Sequence, residues 1–216
     1  MNKALSLSLV TVFLSGCNAF GAAAVEEPNF DVLAEDGAVQ IREYGELLVA
    51  QTEVEGDYDE ISEVAFGRLA RFIFGGNQSR QEVAMTAPVL REEAPGNKGE
   101  KIAMTAPVLQ ESSGGAWVMT FVMPGKYTLE TLPRPVDRLV EISTIPPRRV
   151  ATIRFSGLLN KKKFDRYSAE LSKWIESNGY AAVSPPRSAG YNPPWTLPPL
   201  RRNEIHIDLE TLDAPR

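Results

Sequence analysis

Polar and apolar residues alternate from Val39 to Arg42, residues 47–54 open on the apolar run Leu47 to Ala50, and with Gly45-Glu46 between them as a turn residues 39–44 and 47–54 read as a hairpin. The spacing then becomes helical. Ile61, Val64, Ala65, Leu69, Phe72 and Ile73 share one face of a helix expected over residues 58–74. Asp57 with Glu60 forms a capping box at its start, and Gly75-Gly76 supplies a left-handed stop. The order then recurs, because Ile142, Val150, Ala151 and Gly157 follow Ile41, Val49, Ala50 and Gly56 at a constant offset of 101. In this second half the turn falls at Pro146-Pro147. A helix is expected over 161–177, with Phe164, Tyr167, Leu171, Trp174 and Ile175 on one face and Gly179 beyond its end. Further strands are expected over 117–122 in the first half and over 180–183 and 204–209 in the second. The pattern predicts an internally duplicated α+β chain: hairpin, helix and strands, twice, as a distorted antiparallel β-barrel or sheet with two packed helices.

The heptapeptide at 84–90 returns letter for letter at 103–109. Its alternation puts Met85 on one face of the first copy, with Val83, Ala87 and Val89, and Met104 on the equivalent face of the second, with Ile102, Ala106 and Val108. Methionine suits an irregular apolar ligand and suits core filling equally well. Pro88 and Pro107 place each strand at an edge, bulge or end. Residues 184–200 carry six prolines with Tyr191 and Trp195, which predicts an extended strap over the body, either as a binding element or as a cover for two aromatics.

Together with the segments from Trp117 to Pro124 and from Tyr191 to Ile205, the repeated heptapeptide resembles the SOUL family of haem-binding proteins, over residues 39 to 209. The resemblance implies the same α+β fold and binding of haem or another tetrapyrrole. It also implies an apolar cleft bordering the first helix, near Arg68, Phe72 and Met85. A histidine axial ligand is not a general feature of that family.

The N-terminus adds an address. Lys3, an apolar run over 4–14 and the sequence Leu14-Ser15-Gly16-Cys17 have the layout of an export signal, and the run falls short of the roughly 20 residues of a membrane span. The pattern resembles a bacterial lipoprotein signal: residues 1–16 are removed, Cys17 is acylated, 17–29 form a tether, and 30–216 form one ligand-binding domain. Asn18, in place of an aspartate, points to the outer membrane facing the periplasm. Cys17 is the sole cysteine, so a mature domain has no internal disulfide, catalytic thiolate or cysteine metal cluster. The formal charge of −5 becomes −6 without Lys3, which argues against nucleic-acid partners.

Candidate chemistry is sparse. His206 is the only histidine, and alternation groups it with Glu204 and Asp208, opposite Ile205, Ile207 and Leu209. That trio reads as a solvated strand face, with metal binding as the minority alternative. Met85, Met104, Met119, Met123 and Tyr191 are the other side chains able to meet iron. Burial of a flat porphyrin needs no axial bond, but its carboxylates call for cations, and Arg68, Arg71, Arg201 and Arg202 are candidates. Lys161, Lys162 and Lys163 open the second helix, either as a solubilising cluster or as a contact for lipid head groups. No common nucleophile, phosphate-loop or metalloprotease signature can be assembled, so a binding protein rather than an enzyme is expected. Its ligand is a tetrapyrrole or another flat amphipathic molecule. The alternative is an interaction lipoprotein docking a partner through the strap.

Overall fold

The computed structural model describes residues 25–79, 99–113, 116–193 and 195–210, without the side chains of 59–61 and 113. Met85, the first heptapeptide copy, Glu60's side chain, Cys17 and the signal segment lie outside what is described. In chain order the elements are β1 (Phe30–Asp36), β2 (Val39–Tyr44), β3 (Leu47–Glu55), α1 (Tyr58–Ile73) and β4 (Asn77–Gln78). They continue as β5 (Val108–Ser113), β6 (Ala116–Val122), β7 (Arg134–Pro135), β8 (Glu141–Ile145), β9 (Arg148–Phe155), α2 (Lys161–Ser177), β10 (Arg187–Gly190) and β11 (Asn203–Leu209). Among the described residues nine strands form one antiparallel sheet in the order β1-β2-β9-β11-β10-β5-β6-β3-β8, and β4 pairs with β7 separately.

That order reads the same from either side of the β10–β5 junction, once β2 is matched with β8, β3 with β9, β5 with β10 and β6 with β11. The duplication expected from the offset is thus a two-fold arrangement within one sheet. The two expected hairpins are not formed. β2 pairs with β9, and β3 with β8, so each half gives its first strand to the other half's second. Only Gly45 and Glu46 separate β2 from β3, so their ends lie within about 11 Å at 3.8 Å per Cα step. Five strands nevertheless intervene between them in the sheet. The sheet must therefore curl, and with β1 and β8 at its edges it is an open half-barrel rather than a closed barrel.

Both helices pack on one face. α1 lies on β3 and β6, α2 on β9 and β11, and their first turns meet where the Tyr58 ring packs 5.5 Å from that of Phe164 and 5.0 Å from that of Trp117. Under α2 lie Ile41, Ala151, Ile153, Ile205 and Ile207, and under α1 lie Ala50, Met119 and Phe121. Asn160 caps α2 by accepting from the Lys163 amide at 3.0 Å. Asp57 does not cap α1 through its side chain, so that half of the expected box is absent. The stop is as expected, with Gly75 in the left-handed region at φ +109°.

Two further expectations are corrected. No strand covers 180–183, where only a bridge joins Ala182 to Leu209, and the strap instead contains β10, central in the sheet. Its prolines flank β10, leaving Arg187 to Gly190 free to donate ladder hydrogen bonds. In the second heptapeptide only Val108 and Leu109 enter a strand, because Pro107, cis to Ala106, precedes β5 directly.

Candidate functional site

Alternation sends Val39, Ile41, Ile205 and Ile207 toward the helices and sends Arg42, Tyr44, Glu204, His206 and Asp208 to the opposite face. That opposite face is buried. Glu204 is 0% exposed and His206 3%, so the solvated face expected for them is wrong. The Glu204 carboxylate accepts both Arg42 Nη groups (2.7 and 3.0 Å), Arg202 Nε (3.0 Å) and the Tyr191 hydroxyl (2.8 Å), and its Oε2 lies 2.8 Å from His206 Nε2. Arg202 also stacks 3.7 Å over the Tyr191 ring and pairs with Glu27. Burial opposes the Glu204 charge, yet hydrogen bonding and charge interaction with His206 and Arg42 outweigh it and hold the carboxyl well below the usual range. Burial pushes His206 below its ordinary value, against the pull of Glu204. It pushes Tyr191 well above its own, so Tyr191 serves as a neutral donor, not a tyrosinate.

The structure thus joins His206, Tyr191 and Arg202 around a glutamate that sequence reasoning had left on the surface. The geometry disfavours His206 as an iron ligand, since Nε2 is engaged and the ring is enclosed. Asp208 turns instead to Arg187 and Arg148, and no cluster of metal-ligating side chains forms among the described residues.

On the helix side, Arg68 is 19% exposed, donates to Thr52 Oγ1 at 2.7 Å and lies 3.7 Å from Asp137. Thr52 in turn donates to the Leu139 carbonyl. Val64, one helical turn before Arg68, and Val136 and Leu139, around Asp137, are each more than half exposed. The result is an apolar strip beside Arg68, with Arg138 exposed between Asp137 and Leu139. Phe72 is 1% exposed in the core beneath α1, so it meets a ligand only if the helix moves. Met104 is half-buried against that same core. Arg71 is exposed in the last turn of α1, and Arg201 donates to the Thr196 carbonyl.

A cavity of about 510 Å³ opens elsewhere, between the N-terminal segment and the loop after β6. Among the described residues Glu26, Glu27, Glu46 and Glu130 line it and no lysine or arginine does, the wrong sign for a porphyrin's carboxylates. A smaller one of about 300 Å³ lies over Arg42, Arg154, Arg202 and Glu204.

Comparison with known proteins gives this geometry a context. Human heme-binding protein 2 is 27% identical over 188 residues, 84% of each chain. Among solved structures, the EcmrR C-terminal domain superposes with a TM-score of 0.54 at 15% identity, over 81% of this chain and 98% of that one. An uncharacterized conserved protein from Listeria innocua gives 0.51 at 13% identity, over 87% and 94%. At such identities the two structures show the fold alone. The family model described as SOUL heme-binding protein matches residues 25–97 and 91–208, nearly the whole described chain, and this chain belongs to that SOUL heme-binding family.

Proposed function

We propose that this chain holds haem or a related tetrapyrrole against the outer side of α1, and that it binds its ligand without transforming it. Family membership carries the ligand class. The Arg68 strip supports the location, because a flat apolar plate with carboxylates at its edge needs apolar surface beside a cation. Hemin titrated into the full-length chain should bind saturably, with Arg68→Ala weakening it about fivefold, the loss of roughly 1 kcal/mol at the upper end for one partly screened ionic contact. Arg71→Ala, on the exposed last turn, should leave affinity within twofold. Unchanged affinity in Arg68→Ala, with its melting also unchanged, would remove Arg68 from the site.

The proposal includes an address: a lipoprotein anchored through Cys17 in the outer membrane, facing the periplasm. The support is the layout of residues 1–17. Mass spectrometry of the N-terminal peptide should find acylated Cys17 in the parent and an unmodified chain in Cys17→Ser. An unmodified Cys17 in the parent ends the anchoring reading.

A further inference from the structure

Large apolar side chains stand out from the proline-rich strap. Trp195 is 82% exposed, Leu197 66% and Leu200 71%, around the short 3-10 turn Pro198–Leu200. The strap is tied to the segment after β9, because the Gly157 amide donates to the Pro198 carbonyl at 2.9 Å and Asn203 Nδ2 donates to the Gly157 carbonyl at 2.8 Å. Leu158, 52% exposed, follows Gly157 directly and so lies next to the strap. A globular surface seldom gathers four such residues without a use.

The surroundings carry the opposite charge to the rest of the chain. Lys161, Lys162, Lys163 and Arg166 fall within six positions of one another with only Asp165 among them, in a chain whose formal charge is −5. Lys163 Nζ reaches back to the Ser156 carbonyl at 2.7 Å, beside Gly157, so the basic turn of α2 directly adjoins the strap. Lys161 is paired with Asp165, which leaves the cluster a net positive charge. This placement opposes the helix dipole, so it does nothing for α2 itself. The N-terminal segment also passes close to the strap, since Glu27 pairs with Arg202 at 3.0 Å, two residues past Leu200.

We propose that this surface is a second membrane contact: Trp195, Leu197, Leu200 and Leu158 enter the interfacial layer while the Lys161–Lys163 turn meets anionic head groups. Tryptophan favours the bilayer interface, and each lysine close to an anionic surface adds to binding. A single apolar attachment leaves a domain free to tumble on its tether, whereas a second one orients it. The contact would present one side of the domain to the bilayer, and it is independent of the haem reading.

The full-length chain is mixed with phosphatidylglycerol vesicles containing brominated lipid, and with phosphatidylcholine vesicles of equal bromine content. The chain has three tryptophans, so the Trp195 signal is the difference between the parent and Trp195→Phe. That signal should lose at least half its intensity in phosphatidylglycerol vesicles and clearly less in phosphatidylcholine. Lys161→Glu/Lys162→Glu should restore it. Flotation of the Lys161→Glu/Lys162→Glu variant, in which the patch contact is disabled, reports the anchor separately. Quenching in the parent with no flotation of that variant keeps the contact and removes the anchor. An unquenched Trp195, whether or not the chain floats, overturns the proposal, as does quenching indifferent to lipid charge and to the lysine variants. Concentration-dependent self-association lost in Trp195→Phe, with no quenching, would give the patch to a protein contact instead.

Discussion

Glu204→Ala is expected to destabilise the protein by about 3–5 kcal/mol, the usual cost of removing one partner from a buried ion pair. The carboxylate is fully enclosed and joins β11 to Arg42 on β2, to Arg202 and to Tyr191 in the strap. Without it, two guanidinium groups face each other with no anion between them, and the Tyr191 hydroxyl and His206 Nε2 lose their partner. Arg42 is only 4% exposed, so its charge is left largely buried. Urea unfolding at pH 7.5 to 8, above the ordinary imidazole value, measures the difference with His206 largely neutral in both states. The sign of the acid response follows from the same carboxyl. Its folded value lies below the ordinary one, so its contribution is complete above about pH 4.5 and is lost only as pH falls toward the folded value. A loss below 1 kcal/mol at pH 7.5 would show that the network is solvated and carries little of the fold's stability.

The two helices and most strands were legible because each period is local: 3.6 residues over Ile73 and Leu69 in α1, two residues along β2, β9 and β11. Pairing was not legible. A two-residue connection such as Gly45-Glu46 ordinarily makes a hairpin, and nothing local distinguishes that from the exchange of strands between duplicated halves. The site shows the same limit. Alternation correctly separated His206 and Glu204 from Ile205 and Ile207, but it reports which side a residue faces and not whether that side meets water. Arg42 is the partner that changes the reading, and it lies 162 positions from Glu204, beyond any periodic signal. Arg68 enters the candidate site only through the family resemblance, and its apolar neighbours Val136 and Leu139 come from a distant loop.

Phe72→Ala should cost about 3–5 kcal/mol as well, through a different mechanism. The ring is 1% exposed among Leu69, Ile73, Ala50, Phe121 and Leu132, at the level where α1 meets β3 and β6. Truncation removes its transfer free energy and leaves a cavity that these residues fill only in part, because α1 is held at its end by Asn77 Nδ2 donating to the Phe72 carbonyl at 2.8 Å. Phe72 and Arg68, one turn apart on α1, therefore separate packing from recognition. Phe72→Ala lowers the denaturation midpoint, and hemin affinity of the molecules still folded stays within about threefold. Arg68→Ala does the reverse, with little change in midpoint and a clear loss of affinity. Chemical denaturation with and without saturating hemin gives both quantities from one set of curves. A Phe72→Ala protein of unchanged stability that has lost hemin would place the ring in the ligand's path, and would mean that α1 swings outward to admit the porphyrin.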